Sequence, residues 1–223
     1  MEFVSYPDAE MMMINLANKL AGELRTALQN EDIVSMAVPG GTTPGPIFDE
    51  LSAVELDWAR VRVMLTDERW VPETSERSNT RLLKSRLLQG PAAAAQFVPF
   101  YAEVPTPEDG IPALAADVDA VLPLSILLLG MGADMHTASI FPGADLLDTA
   151  LTGDATLVPM RAPGAPEPRI TLSAKVLKSA MNCHVVIKGA DKREALEKAR
   201  HLTPQEAPIA AVLPNATVHW AES

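Results

Sequence analysis

Cysteine, basic residues and long apolar runs are all scarce in this sequence of 223 residues. The single cysteine, Cys183, excludes an intramolecular disulfide and any metal cluster built on several thiolates. Only 18 lysines and arginines stand against 29 acidic residues, so the formal net charge is -11 at pH 7. That balance argues against a nucleic-acid partner, which would require a basic stripe, but a cavity in an acidic protein can still be locally positive and bind a small anion.

No apolar run approaches the ~20 residues that a membrane-spanning helix needs. The opening MEFVSYPDAE lacks the basic and apolar regions of a signal peptide, so we expect a cytoplasmic protein without a membrane partner. Hydrophobic residues make up 48% of the chain, which supports a sizeable core and excludes a largely disordered protein. This length suits one α/β domain and would cramp a second, so the sequence predicts a single domain over residues 1–223.

Strand-like and helix-like segments alternate along the whole chain. Short apolar runs predict strands at residues 33–38, 61–65, 97–100, 125–129, 169–172, 183–187 and 217–220. Amphipathic spacing and N-cap residues predict helices over residues 8–28 and 111–121, helices that begin at residues 44, 78 and 173, and a helix that ends at residue 201. The Pro- and Gly-rich stretch 144–168 is expected to wrap the surface. The alternation predicts the α/β class, with a single doubly wound, mainly parallel sheet, helices on both faces and a Rossmann-like architecture.

Residues 125–143, SILLLGMGADMHTASIFPG, carry the strongest chemical signal. A buried strand runs into Gly130 and Gly132, and Asp134 and His136 follow directly. In open α/β sheets, ligands bind beyond the carboxyl ends of the strands, which is where this acid and imidazole lie. An imidazole exchanges protons near neutral pH, so His136 is the candidate general base, and Asp134 is the candidate to orient its ring.

The turn PGGTTP after the first predicted strand is a candidate anion site. Gly40, Gly41 and Thr42 precede a helix that opens at Pro44, and backbone N–H groups at a helix N-terminus attract phosphate. The segment is neither a P-loop, which needs a following Lys, nor a GxGxxG dinucleotide fingerprint. An ordinary turn between a strand and a helix accounts for the same pattern equally well.

Cations and carboxylates at three other strand ends extend this candidate site. Asp67 and Arg69 lie in TDERWVP, which we expect to be a loop, and a solvated charged loop is the simpler alternative for it. Arg169 opens a predicted strand and is a candidate ligand cation. Lys192 follows KGA in a helix start where Asp191 and Glu194 are expected to form a capping box. A lysine in the first helical turn opposes the helix dipole unless it faces an anion, although an exposed lysine fits as well.

All these turns are expected on one rim of the sheet, which indicates a phosphorylated small molecule and proton-transfer chemistry. The sequence has no GxSxG elbow for a covalent serine hydrolase and no HExxH spacing for a zinc hydrolase. The remaining economical mechanism is attack by a water molecule that His136 activates.

The segments VPGGTTP, LTDERWVP with SN following, GMGADMHTASIFPG, RITLS and KGADK, in that order, resemble those of the 6-phosphogluconolactonase family over nearly the whole chain. The resemblance implies hydrolysis of 6-phospho-D-glucono-1,5-lactone to 6-phosphogluconate, the second step of the oxidative pentose phosphate pathway, with no metal or organic cofactor. We also expect a monomer or weak homodimer, with a sugar phosphate as its small-molecule partner. His136 would be the general base with Asp134 beside it, and the residues around the phosphate would be Gly40, Gly41, Thr42, Arg69 and Lys192, with Arg169 as a further member. Asp67 is a separate candidate for binding the substrate or its phosphate.

The chain departs from the family pattern at Met135, where a glycine is usual. If the backbone there has a positive φ, Met135 is strained by roughly 1–2 kcal/mol. Two alternatives stay open. A glucosamine-6-phosphate isomerase or deaminase shares this motif but carries a glutamate shortly after the histidine, where this chain has Phe141. The second alternative is a non-catalytic sugar-phosphate sensor, and Met135 is the only residue that favours it.

Overall fold

A computed structural model describes all 223 residues. Its main sheet has seven strands in the order β1-β10-β9-β6-β2-β3-β5, and every neighbouring pair is parallel. A smaller antiparallel sheet has the order β4-β8-β7. The strands are β1 Glu2–Ser5, β2 Val34–Val38, β3 Val61–Leu65, β4 Asp67–Arg69, β5 Gln96–Val98, β6 Ile126–Leu129, β7 Leu157–Met160, β8 Arg169–Leu172, β9 Asn182–Lys188 and β10 Ala216–Ala221.

Seven α-helices surround the main sheet, and the α/β class with a mainly parallel sheet is confirmed. They are α1 Ala9–Asn30, α2 Gly45–Ser52, α3 Asn79–Arg86, α4 Pro107–Asp119, α5 Leu147–Thr152, α6 Ala174–Lys178 and α7 Ala190–Ala199. Helix α1 begins where the side chain of Asp8 accepts a hydrogen bond from the N–H of Met11 at 2.8 Å. Its buried stripe includes Leu16, Leu20 and Leu24, as the four-residue spacing predicts.

The core lies on both sides of the central strands. Strands β2 and β6 are buried along their whole length, which explains why they have continuous rather than alternating apolar sequences. The buried apolar side chains form one contiguous cluster across the sheet. None of the helices is long and apolar enough to span a bilayer.

The smaller sheet corrects two expectations. The segment TDERWVP was expected to be a loop, but Asp67, Glu68 and Arg69 form strand β4 and pair with β8. The stretch 144–168 was expected to wrap the surface, but it contains helix α5 and the largely buried strand β7. Proline in β7 and acidic residues in β4 concealed these strands, since both residue types are depleted in sheets.

The start of helix α7 corrects a third expectation. The predicted capping box is wrong, because Gly189, with φ 95°, is the N-cap residue and no side chain caps the helix. Asp191 and Lys192 therefore both lie inside the first turn. Helix α4 also begins earlier than predicted, at Pro107, because the side chain of Thr106 caps it.

Candidate active site

Four neighbouring strands of the main sheet, β9, β6, β2 and β3, end at one cavity of about 310 Å³. Because the strands are parallel, the turns that follow them meet on the same edge. The cavity is lined by ten residues that carry its chemistry: Gly40, Gly41, Thr43, Asp67, Arg69, Asn79, His136, Arg169, Lys188 and Lys192. The sequence-predicted turns are therefore assembled around a single space.

The acid and imidazole of the β6 turn are in direct contact. Oδ1 of Asp134 lies 2.5 Å from Nδ1 of His136 and also accepts a hydrogen bond from the backbone N–H of His136 at 3.1 Å. An ionised carboxylate only accepts hydrogen bonds, so this contact places the imidazole proton on Nδ1. Nε2 then carries the lone pair, and no protein group bonds to it. A histidine in this tautomer can accept a proton from a molecule in the cavity.

The backbone of this turn is unusual and leaves no spare space. Met135 has φ 66° and Ala138 has φ 50°, both in the left-handed region that residues with a Cβ rarely adopt. The N–H of Ile209, in a short 3-10 helix, donates to the carbonyl of Met135 at 3.1 Å and ties the turn to the C-terminal part of the chain. At Gly132, a Cβ would lie 2.1 Å from Nδ1 of His136, so only glycine leaves room for the ring.

The β2 turn presents free donors. Gly41 has φ 83°, and none of the backbone N–H groups of Gly40, Gly41, Thr42 and Thr43 donates to an acceptor in the protein. They precede helix α2, whose dipole adds positive potential. Gly40, Gly41 and Thr43 line the cavity, whereas Thr42 lines an adjoining groove. Unpaired N–H groups of this kind form an anion-binding concavity.

Two arginines lie opposite each other on neighbouring strands of the smaller sheet. Arg69 of β4 is the register partner of Arg169 of β8, and Nε of each is buried without a hydrogen-bond partner. Nη1 of Arg69 donates to the carbonyl of Arg77 at 2.7 Å and to Oδ1 of Asn79 at 3.3 Å. Glu167 lies 3.6 Å from Arg69. Burial lowers the pKa of the Arg169 guanidinium, so a second negative charge close to it would be stabilising.

Asp67 is buried and its oxygens are used within the protein. Its side chain accepts hydrogen bonds from the hydroxyls of Ser139 at 2.6 Å and Thr66 at 3.0 Å, and it lies 3.9 Å from Nη1 of Arg169. The carboxylate therefore links the β3 end, the histidine turn and strand β8. At the cavity wall, Asp67 is placed to orient Arg169. It is unsuited to binding an anion directly, because two negative charges repel.

Lys192 lies in the first turn of α7, and its Nζ donates to the carbonyl of Met131 at 2.9 Å. Two of its three ammonium protons remain available. Lys188, at the end of β9, also lines the cavity and forms no salt bridge with a protein carboxylate. Sequence reasoning did not single out Lys188, because a lysine at the end of a strand is usually a solvated residue.

Glu68 lies inside the protein, although the cluster of charges in TDERWVP is typical of a solvated loop. It is fully buried, and its carboxylate accepts hydrogen bonds from the backbone N–H groups of Asn79, Thr80 and Arg69 at 2.8–2.9 Å. Burial raises the pKa of Glu68, and these N–H groups oppose that rise. Glu68 therefore holds the N-terminus of α3 against β4 and positions Asn79, a cavity residue that sequence reasoning missed.

The chain is similar to known proteins over nearly its full length. The sequence model of the family described as glucosamine-6-phosphate isomerases/6-phosphogluconolactonase matches residues 7–220. A 6-phosphogluconolactonase of Mesorhizobium japonicum is 42% identical over 230 residues, which cover 97% of this chain and 94% of that protein. A 6-phosphogluconolactonase of Pseudomonas aeruginosa is 39% identical over 212 residues, which cover 92% of this chain and 88% of that protein.

Solved structures show the same similarity. A 6-phosphogluconolactonase from Shewanella baltica superimposes with a TM-score of 0.95 at 33% identity, covering 99% of this chain and 97% of that one. A monomeric glucosamine-6-phosphate deaminase superimposes with a TM-score of 0.80 at 15% identity, over 99% and 97% of the two chains, and so shares the fold. The chain therefore belongs to the family of glucosamine-6-phosphate isomerases and 6-phosphogluconolactonases.

Proposed function

We propose that the protein is a 6-phosphogluconolactonase, which hydrolyses 6-phospho-D-glucono-1,5-lactone to 6-phospho-D-gluconate in the oxidative pentose phosphate pathway. The observation that carries the proposal is the contact of Asp134 with Nδ1 of His136 at 2.5 Å, with Nε2 left as a free base beside a cavity rich in cations. The curated relatives that cover most of the chain are named for this activity.

In the proposed reaction, Nε2 of His136 takes a proton from water as the water oxygen attacks the lactone carbonyl. Asp134 holds the imidazole in the required tautomer and stabilises the imidazolium that forms. When the tetrahedral intermediate collapses, the bond between the carbonyl carbon and the ring oxygen breaks. The imidazolium returns its proton to that ring oxygen, which becomes the hydroxyl of the open-chain acid.

The phosphate is proposed to bind at the unpaired N–H groups of Gly40, Gly41 and Thr42, with Arg69 and Lys192 as the nearby cations. Arg169 is a further cation, and Asp67 sits 3.9 Å from it as its orienting carboxylate. Binding at this end lies away from the reacting carbonyl. Its energy positions the carbonyl beside His136, so it contributes to the rate as well as to affinity.

The isomerase or deaminase alternative is less well supported by the surroundings of His136. The ring of Phe141 lies 4.2 Å from the imidazole, centroid to centroid, so an apolar face occupies this side of the base. Ring opening and isomerisation of an amino sugar require an additional proton donor, and this phenyl ring has none. Release of ammonia from glucosamine 6-phosphate would favour the alternative.

The experiment is a coupled assay in which glucose-6-phosphate dehydrogenase generates the lactone in place. The wild type should accelerate hydrolysis, and His136→Ala should lower kcat by about 10²–10⁴-fold with little change in affinity for 6-phosphogluconate. His201→Ala is the matched control, because His201 is exposed and does not line the cavity. A folded wild type that leaves the spontaneous rate unchanged would contradict the proposal and favour a sugar-phosphate sensor.

We further infer that residues 1–223 act as one domain and form a monomer or a weak homodimer. In support, the buried apolar side chains form one cluster, and the exposed large apolar side chains are few. Light scattering during gel filtration measures the mass directly. A cytoplasmic location fits the proposed substrate, because a phosphorylated sugar does not cross a membrane unaided, and cell fractionation tests it.

A further inference from the structure

Phe141 is the aromatic residue nearest to the proposed base, and the proposed reaction does not use it. Its ring centroid lies 4.2 Å from that of His136, with an angle of 32° between the two planes. The guanidinium carbon of Arg169 lies over the same ring, 5.2 Å from its centroid. One phenyl ring therefore contacts both the base and a buried cation of the cavity.

The contact with Asp134 does not by itself fix the imidazole. The hydrogen bond at Nδ1 and the close packing of Gly132 hold that edge of the ring, but they leave the tilt of its plane less restricted. Nε2, which has no protein partner, would move with any such tilt. A phenyl ring packed against the imidazole, inclined to it by 32°, restricts this freedom.

The position of Phe141 is itself well determined. It directly follows Ile140, which is buried and donates its backbone N–H to the carbonyl of Thr137 at 2.9 Å. The hydroxyl of Thr137 in turn donates to the carbonyl of Gly130 at 2.9 Å. Phe141 is half-buried and packs against the main core, which restricts the movement of its ring.

We propose that Phe141 is a positioning residue that holds the imidazole plane of His136 for proton transfer and supports the guanidinium of Arg169. The negative face of the phenyl ring also attracts positive charge, which develops on His136 as it takes the proton. The other charged groups near the base are Asp134, on Nδ1, and Lys192, whose Nζ binds the carbonyl of Met131 in the same turn. Phe141 touches neither the reacting water nor the lactone in this assignment.

The kinetic test compares Phe141→Leu, which keeps an apolar side chain but has no flat face, with Phe141→Tyr, which keeps the face. Leucine should lower kcat by about 10- to 100-fold, since a displacement of about 1 Å at a reacting group has effects of this size. The change in KM should be smaller than the change in kcat, and tyrosine should restore most of kcat. Phe97→Leu is the control, because Phe97 also bears a cation, Lys84 at 5.4 Å, but lies outside the cavity.

A second measurement is independent of turnover. The ring protons of His136, assigned by their absence in His136→Ala, should have NMR shifts moved upfield by the phenyl ring, and Phe141→Leu or Phe141→Met should abolish that displacement. Equal shifts in wild type and variants, or a folded leucine variant with wild-type kcat, would overturn the proposal. So would a tyrosine variant as slow as the leucine variant, because it would indicate a packing role alone.

The kinetic part rests on the proposed lactonase function, and the two failures are distinguishable. If the wild type does not accelerate lactone hydrolysis, the proposed function fails while the NMR result still tests the contact between the rings. If the wild type is active and Phe141→Leu is equally active, only the positioning role fails.

Discussion

Replacing Gly132 with alanine should disable the proposed base without unfolding the protein. The φ angle of Gly132 is not in the left-handed region, so an alanine suits its backbone. The added Cβ would lie 2.1 Å from Nδ1 of His136, 2.3 Å from its Cε1 and 2.4 Å from Oδ1 of Asp134. The methyl group would therefore collide with both partners of the hydrogen bond that sets the tautomer.

The size of the effect follows from these distances. To reach ordinary van der Waals contact at 3.4 Å, Nδ1 of His136 must retreat by about 1.3 Å and Oδ1 of Asp134 by about 1 Å. Both belong to side chains that are partly exposed, so they can move without displacing buried backbone. A displacement of about 1 Å at a reacting group lowers kcat by about 10²-fold, and stability should change by less than about 1 kcal/mol.

The assay measures kcat for the lactone, affinity for 6-phosphogluconate and the thermal unfolding midpoint of Gly132→Ala. The control is Gly22→Ala in helix α1, outside the cavity, where a Cβ also meets no atom within 4 Å. The control should keep kcat close to the wild-type value. A folded Gly132→Ala with wild-type kcat would refute the assignment of the pair of Asp134 and His136 as the catalytic centre.

Three further predictions concern stability and binding. Burial and a neighbouring histidine lower the pKa of His219 to about 3, below the ordinary value of about 6.5, so the unfolded chain binds a proton that the native chain does not. The contribution of His219 to the free energy of unfolding should therefore fall by about 2 kcal/mol between pH 7 and pH 5. In urea titrations, the unfolding free energy of His219→Gln should depend less on pH than that of the wild type. The control His201→Gln should keep the wild-type pH dependence. In Gly40→Ala the Cβ would lie 2.1 Å from Oδ1 of Asn79 and would disturb the turn. KM should rise by about tenfold, and kcat should change less than KM. An unchanged KM would argue against phosphate binding at this turn. Met135→Gly should relieve about 1 kcal/mol of left-handed backbone strain. It should lose a comparable amount through greater backbone entropy in the unfolded chain and lost side-chain contacts, so the free energy of unfolding should change little. A change of more than about 2 kcal/mol would contradict this balance.

The elements that could be predicted from the sequence are those with a strong local pattern. Strands β3 and β8 have the predicted bounds, because each is a short apolar or β-branched run between polar residues. Strand β1 was missed because it is a half-exposed edge strand of four residues. Strands β4 and β7 were missed because their acidic and proline residues belong to a small sheet that forms only when the chain folds back on itself.

For the candidate site, local patterns indicated the turns but not their contacts. The sequence placed Asp134 two residues before His136, and the structure brings their side chains to 2.5 Å. It also indicated a cation cluster, but only the pairing of β4 with β8 places Arg69 opposite Arg169. Asn79 and Lys188 carry no local signal that places them at the cavity, and the sequence singled out Phe141 only because it stands where the isomerase family has a glutamate.

By itself, the sequence determined the α/β class, the order of the main elements and the chemistry available at the ends of the strands. These properties follow from apolar periodicity, glycine turns and residue type, which act over a few neighbouring residues. The tertiary structure decided which charges pair, which N–H groups stay unpaired and which nitrogen of His136 faces the cavity. The pairing of charges depends on groups that are far apart in the chain, such as Arg69 and Arg169, and meet only when strands β4 and β8 pair. The free N–H groups and the orientation of His136 depend on turn conformations that residue type alone does not specify.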